Sequence, residues 1–178
     1  MLNGAPGIGK SILARRYAEE HALTLVIDID QVRGMLGRWL DHPLEAGLLA
    51  RDLTVAMARA QLSAGHDVLV PQYLGKLDFI VRLEGLAAEI GAQFVELALV
   101  GERDDVVRRF ERRSRASTDP AHQDAAELQR RSGGREQLAK THGRVLAVVA
   151  ARPAARLIIS TDGDIEGTYT RLLASLNR

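Results

Sequence analysis

The chain has 178 residues, 46% hydrophobic, 26% charged and only 4% aromatic, with 24 basic against 23 acidic side chains and a formal net charge of +1. That length can bury one aliphatic core without a metal or disulfide to hold it, so one domain over residues 1–178 is expected. The absence of cysteine excludes disulfides and thiolate metal sites, the balanced charge argues against nucleic acid as a partner, and no apolar run approaches membrane-spanning length. A cytoplasmic protein, monomeric or homodimeric, is the expectation.

In chain order, the first strand is stunted. Only Met1, Leu2 and Asn3 stand before a glycine-rich loop, whereas a strand normally runs to about five or six residues; either the strand is short or the start is internal. The loop Gly4-Ala5-Pro6-Gly7-Ile8-Gly9-Lys10-Ser11 satisfies GxxxxGK[ST] and opens through Ile12 into a helix expected over Ser11 to Glu20. Glycines let the backbone curl around a phosphate with several N–H groups pointing inward, and the helix N-terminus adds a favourable dipole. A triphosphate can bind there, and ATP is the expected cofactor. Lys10 would neutralise the β and γ phosphates, and the Ser11 hydroxyl would ligate the accompanying Mg²⁺. The bland alternative is a flexible glycine turn, which the position before a helix in an α/β chain makes the weaker reading.

Leu23 to Ile27 reads as the second strand and runs into Asp28-Ile29-Asp30-Gln31-Val32-Arg33. Two carboxylates at the carboxyl end of a strand stand where open parallel sheets bind ligands, and alternation puts them on one face with Ile29 opposite. Asp30 is the candidate general base for an attacking hydroxyl. Arg33, one turn on if a helix begins there, would hold an anionic acceptor or steady Asp30. An aspartate N-cap with an exposed arginine is the competing account. Helices are expected over Leu48 to Ala64, Phe79 to Ile90, Asp104 to Arg113, Arg135 to Ala151 and Ile165 to Leu176, and further strands over Val68 to Val70, Phe94 to Val100 and Leu157 to Ile159. Ser114 to Gly134 reads as a lid or loop. This alternation is that of an α/β fold, an open parallel sheet of about five strands covered by helices on both faces, and together with the glycine-rich loop it sets the expectation of a P-loop NTPase fold.

The loop GAPGIGKS, the IDIDQVR about twenty residues after the lysine, and the later arginine helix together resemble the small P-loop phosphotransferases: zeta toxins, chloramphenicol phosphotransferase, gluconate kinase and the kinase part of polynucleotide kinase. IDIDQVR is most similar to the zeta-toxin stretch in which the second aspartate is the base and the arginine contacts substrate; by position these roles fall on Asp30 and Arg33. Val55 to Ala60, leading into the third strand, resembles chloramphenicol phosphotransferase. The likeness spans Gly4 to about Arg113. Where many of those proteins end the third strand with an aspartate, this chain has Val70-Pro71-Gln72-Tyr73, which leaves Asp28 to take the Mg²⁺ contact. The chain is too short for the insertions of typical zeta toxins.

On the helix after the fourth strand, Arg109 and Arg113 share a face at i, i+4. The resemblance implies that they form an arginine lid closing over the transferring phosphate, the alternative being a solvated helix face. Trp39 is a candidate to stack on a planar acceptor, or else core. Gln72 and Tyr73, at the carboxyl end of the third strand, are candidates to hydrogen-bond the acceptor. His42, His66, His122 and His142 show no metal-ligand spacing. The expected activity is transfer of the γ-phosphate of ATP to a hydroxyl of a small molecule: a metabolite, nucleoside or antibiotic. Two alternatives stand beside it: a nucleoside monophosphate kinase, which needs no base, and an ATP-hydrolysing regulatory ATPase.

Overall fold

The structure is a computed structural model and describes residues 1–116 and 134–176; within them, only the backbone is described at positions 103, 113–116 and 134–139. Most of the expected loop over Ser114 to Gly134 lies outside the described residues. The elements run β1 (Leu2–Gly4), α1 (Lys10–Glu20), β2 (Leu25–Val26), α2 (Ile29–Gly34), a 3-10 turn (Trp39–Asp41), α3 (Pro43–Ser63), β3 (Val68–Leu69), β4 (Pro71–Gln72), α4 (Asp78–Ile90), β5 (Leu97–Val100), α5 (Arg103–Ala116), α6 (Gly134–Ala150), β6 (Arg156–Ile159) and α7 (Ile165–Leu176).

The expected α/β architecture is present. Four strands form a parallel sheet in the order β4-β1-β5-β6, and β2 pairs with β3 in a second parallel ladder. One stretch of chain belongs to both. Val68 and Leu69 pair with Leu25 and Val26, while Pro71 and Gln72 pair with Leu2 and Asn3, and between them the Val70 carbonyl accepts from Leu2 N–H at 2.9 Å. Proline has no N–H to give a ladder, which accounts for the interruption at Val70-Pro71. The short β1 is therefore central, with β4 on one side and β5 on the other. Every parallel step needs a helical crossover, and those helices bring the carboxyl ends of the strands to one edge.

Several boundaries differ from the periodicity. The second strand contracts to Leu25–Val26 because Leu23 sits in the left-handed region at φ 64 and is 68% exposed. The third helix starts earlier than Leu48, at Pro43, whose fixed φ suits the first helical turn. Ile29–Gly34 is a separate short helix capped by Asp28, so the two carboxylates are not on an extended run.

Two aliphatic clusters hold the layers together. One joins Ile27, Val32, Ala50, Phe79, Ile80 and Leu83, placing α2, α3 and α4 against the β2–β3 side. The other joins Leu2, Leu13, Leu97, Leu99, Ile158 and Leu172 around β1, β5 and β6. Truncating a fully buried leucine such as Leu99 to alanine would cost about 2–5 kcal/mol. No helix among the described residues is long and apolar enough to cross a membrane.

Candidate active site

The glycine-rich loop joins β1 to α1, and its shape depends on glycine at two positions. Gly7 has φ +87 and Gly9 has φ +108, both in the left-handed region. A Cβ on Gly7 would come within 2.9 Å of the Phe110 Cβ and backbone nitrogen, so α5 rests directly on the loop. The first turn of α1 contains no acidic side chain, leaving its positive end for an anion. Lys10 is 8% exposed, and its ammonium donates to the carbonyls of Gly4 and Ala5, at 2.9 Å each.

The loop is also held from behind. The Ser160 hydroxyl, just past β6, donates to the Ile8 carbonyl at 3.1 Å. Arg109 in turn donates to the Ser160 hydroxyl and carbonyl, both at 3.1 Å, and its Nε stands 3.3 Å from Asp162. This corrects the expectation for Arg109: it does not line the cavity described below but ties α5 to the segment that braces the loop. Arg113 lies one turn on in α5, its side chain outside the described residues.

At the end of β2, the Asp28 carboxylate caps α2 by accepting from Asp30 N–H at 3.0 Å and accepts from the Ser11 hydroxyl at 3.3 Å. Burial, and next the nearby Asp30 carboxylate, push the Asp28 pKa up from its ordinary value. A desolvated carboxylate beside a hydroxyl, with a second carboxylate close by, is a donor set that a hard divalent cation would relieve, and it fits Mg²⁺. Among the described residues no group of three or more His, Cys, Asp or Glu could hold a metal by itself.

Asp30 and Arg33 form an ion pair at 3.0 Å across one helical turn. The Arg33 guanidinium lies over the Trp39 ring, 4.5 Å from its centroid. Trp39 is only 7% exposed and does not line the cavity. The expectation of a stacking platform for an acceptor is thus corrected, because the indole face is taken by Arg33.

These pieces meet around one cavity of about 890 Å³. Gly7, Gly9, Lys10 and Ser11 form one end; Asp28, Asp30 and Arg33 form a side; Gln72 and Tyr73 form another. Gly4, Ala5 and Ile8 are buried behind the loop, and Ile12 is 51% exposed; none of these four lines the cavity. Sequence reasoning did not single out Asn3, which is completely buried. Its side-chain carbonyl accepts from Gly4 N–H at 2.8 Å and Leu74 N–H at 2.9 Å, and its amide donates to the Leu74 carbonyl at 3.1 Å. It thereby pins the Gln72–Tyr73 wall to the phosphate loop. A polar residue inside an apolar strand was the available signal. Arg51, Lys76, Arg82 and Arg144 also line the cavity; they are scattered through the chain, with no motif to announce them.

A family model described as an AAA domain matches residues 1–154. No curated protein matches the chain. Among solved structures, it is similar to a gluconokinase from Sinorhizobium meliloti 1021 (TM-score 0.59, 16% identity, covering 99% of this chain and 93% of that one). It is also similar to the Mycobacterium tuberculosis APS kinase in complex with AMPPNP and APS (TM-score 0.61, 17% identity, 99% and 95% covered). A third likeness is to the deoxyadenosine kinase from M. mycoides with bound dATP (TM-score 0.61, 10% identity, 99% and 97% covered). At these identities the likeness establishes the fold, that of small P-loop kinases.

Proposed function

The chain belongs to the AAA domain family, and from that premise we propose that it is an ATP-dependent kinase that transfers the γ-phosphate to a hydroxyl of a small molecule. The observation that carries this reading is the Asp30–Arg33 pair, at 3.0 Å, on the wall of the same cavity as Lys10 and Ser11. A phosphate loop alone would serve any nucleotide-binding protein. A carboxylate across the cavity from it serves a reaction in which a proton must leave.

In this reading the loop N–H groups and the end of α1 hold the β and γ phosphates, and Lys10 leaves the Gly4 and Ala5 carbonyls to bridge them. Ser11 and Asp28 would hold Mg²⁺, which neutralises developing phosphate charge when bound. Asp30 accepts the acceptor's hydroxyl proton as the new O–P bond forms and the bond to the β,γ-bridging oxygen breaks, releasing ADP. Arg33, fixed between Asp30 and Trp39, keeps that carboxylate aimed. Gln72 and Tyr73 line the acceptor side.

The test is a screen of ATP consumption against alcohols, sugars, nucleosides, aminoglycosides and nucleotides, with mass spectrometry of each hit. The expected result is ADP together with a phosphorylated alcohol. ATP hydrolysis with no phosphorylated product would favour a regulatory ATPase, and transfer only to nucleoside monophosphates would favour a nucleotide kinase that needs no base.

A further inference from the structure

The whole chain is nearly neutral, with 24 basic and 23 acidic side chains. Its cavity is not: among the described residues six cationic side chains line it against three carboxylates. Two of the six are accounted for, since Lys10 belongs to the phosphate loop and Arg33 is paired with Asp30. Arg82 is paired with Asp52 at 2.8 Å. The remaining three, Arg51 on α3, Lys76 before α4 and Arg144 on α6, have no carboxylate within ion-pair distance among the described residues.

Arginines elsewhere on the surface commonly do have one, as in Arg59 with Glu89 and Arg38 with Asp41. Arg51 is half-buried, 6.0 Å from the centroid of the Phe79 ring, which itself lines the cavity. The Arg33 Nε is buried with no hydrogen-bond partner, leaving a donor unsatisfied at the same wall. None of these groups belongs to the loop or to α1.

We infer that the acceptor carries, besides its reacting hydroxyl, a fixed anionic group held by Arg51, Lys76 and Arg144. Its chemistry is that of a carboxylate, sulfate or phosphate, which guanidinium groups grip through paired hydrogen bonds. The inference rests on the proposed reading of the cavity as the acceptor site. It narrows the acceptor to hydroxy acids or anionic esters and sets aside uncharged sugars, nucleosides and polyols.

The experiment measures binding and turnover separately. With the protein saturated by AMPPNP and Mg²⁺, calorimetry compares glycerate and gluconate, glycerol 3-phosphate and glucose 6-phosphate, and neutral glycerol and glucose. At least one anionic arm is expected to bind roughly tenfold or more tightly than its neutral counterpart, as charge-assisted hydrogen bonds require. The preference should shrink to about threefold or less in Arg51→Gln or Arg144→Gln, each first shown by its melting curve to fold. The carboxylate and phosphate arms identify the anion. Equal binding of neutral and anionic members, no measurable binding of any anion, or a preference that survives in Arg51→Gln/Lys76→Gln/Arg144→Gln overturns the inference. With ATP in place of AMPPNP, an anion that binds but is never phosphorylated counts against the kinase reading and leaves the anion site standing. A neutral alcohol phosphorylated as fast as its anionic analogue does the reverse.

Discussion

At one end of the cavity, residues Gly4 to Ser11 form a contiguous loop, shaped by left-handed glycines and closed by a helix N-terminus. At the other, Asp30, Arg33, Arg51, Tyr73 and Arg144 reach the same space from α2, α3, the loop after β4, and α6. In the proposed reading the first end recognises phosphate with backbone N–H groups, which any sequence supplies once the turn is right. The second recognises whatever it binds with side chains, each dependent on its own packing. Such a division makes the loop end tolerant of its surroundings and lets the other end diverge, as similar folds with different acceptors require.

If the two ends divide the work in this way, damage to each should have its own kinetic signature. The largest effect is expected for Lys10→Ala, which removes the one side-chain cation of the loop. Turnover should fall about 1,000-fold, on the scale of losing a charge-stabilising donor in the transition state. Near-normal turnover in a folded variant would put the phosphate site elsewhere.

A sharper comparison comes from the two residues that act through others. Arg109→Ala cuts the link to Ser160 that braces the Ile8 carbonyl, so the KM for ATP should rise by about tenfold with kcat little changed. Trp39→Leu removes the ring beneath Arg33, and the loss of a buried cation–π contact of about 0.5–2 kcal/mol should lower kcat/KM for the acceptor by about tenfold. The KM for ATP should not move. Steady-state kinetics with each substrate varied in turn checks both, and an exchange of the two phenotypes would break the division.

The same contrast explains what could be read beforehand. The loop was legible because a contiguous motif encodes it, and the α/β layering because apolar periodicity does. Asp30 and Arg33 were singled out by their place at the end of the second strand and by the resemblance, and both line the cavity, while their roles stay part of the proposal. Arg109 was not, because an arginine on a helix face looks the same whether it turns to the cavity or back to Ser160, and only the β5–β6 pairing decides that. Trp39 was ambiguous for a related reason: its partner, Arg33, is brought over it by the turn between α2 and α3. Asn3 and the cavity cations come from separate segments and meet only in the folded chain.

The smallest effect should appear in stability. The Asp28 pKa is raised chiefly by burial, so the unfolded chain gives up this proton at a lower pH than the native one does. Stability is lost as pH rises from the ordinary value of 3.8 through the raised native value, and stays lost above it. Asp28→Asn keeps an oxygen to cap α2 and avoids the charge. Without nucleotide or Mg²⁺ the variant should melt slightly higher than the parent at about pH 7, with the gap closing toward about pH 3. With ATP and Mg²⁺ added, the parent should gain more. Thermal melts with and without ligand test this, and a variant that melts lower at neutral pH without ligand would show that ionised Asp28 stabilises the fold.

The central claim is that Asp30 takes the proton of the acceptor hydroxyl, and the most direct measurement compares Asp30→Asn with the parent in two assays run side by side. Titration with an ATP analogue should give dissociation constants that agree within about twofold, because Asp30 belongs to the side-chain end of the cavity. Turnover with the acceptor found by the screen should fall by at least ~100-fold, the lower scale for losing a general base. An Asp30→Asn variant that binds the analogue and turns over at the parent's rate would contradict the account.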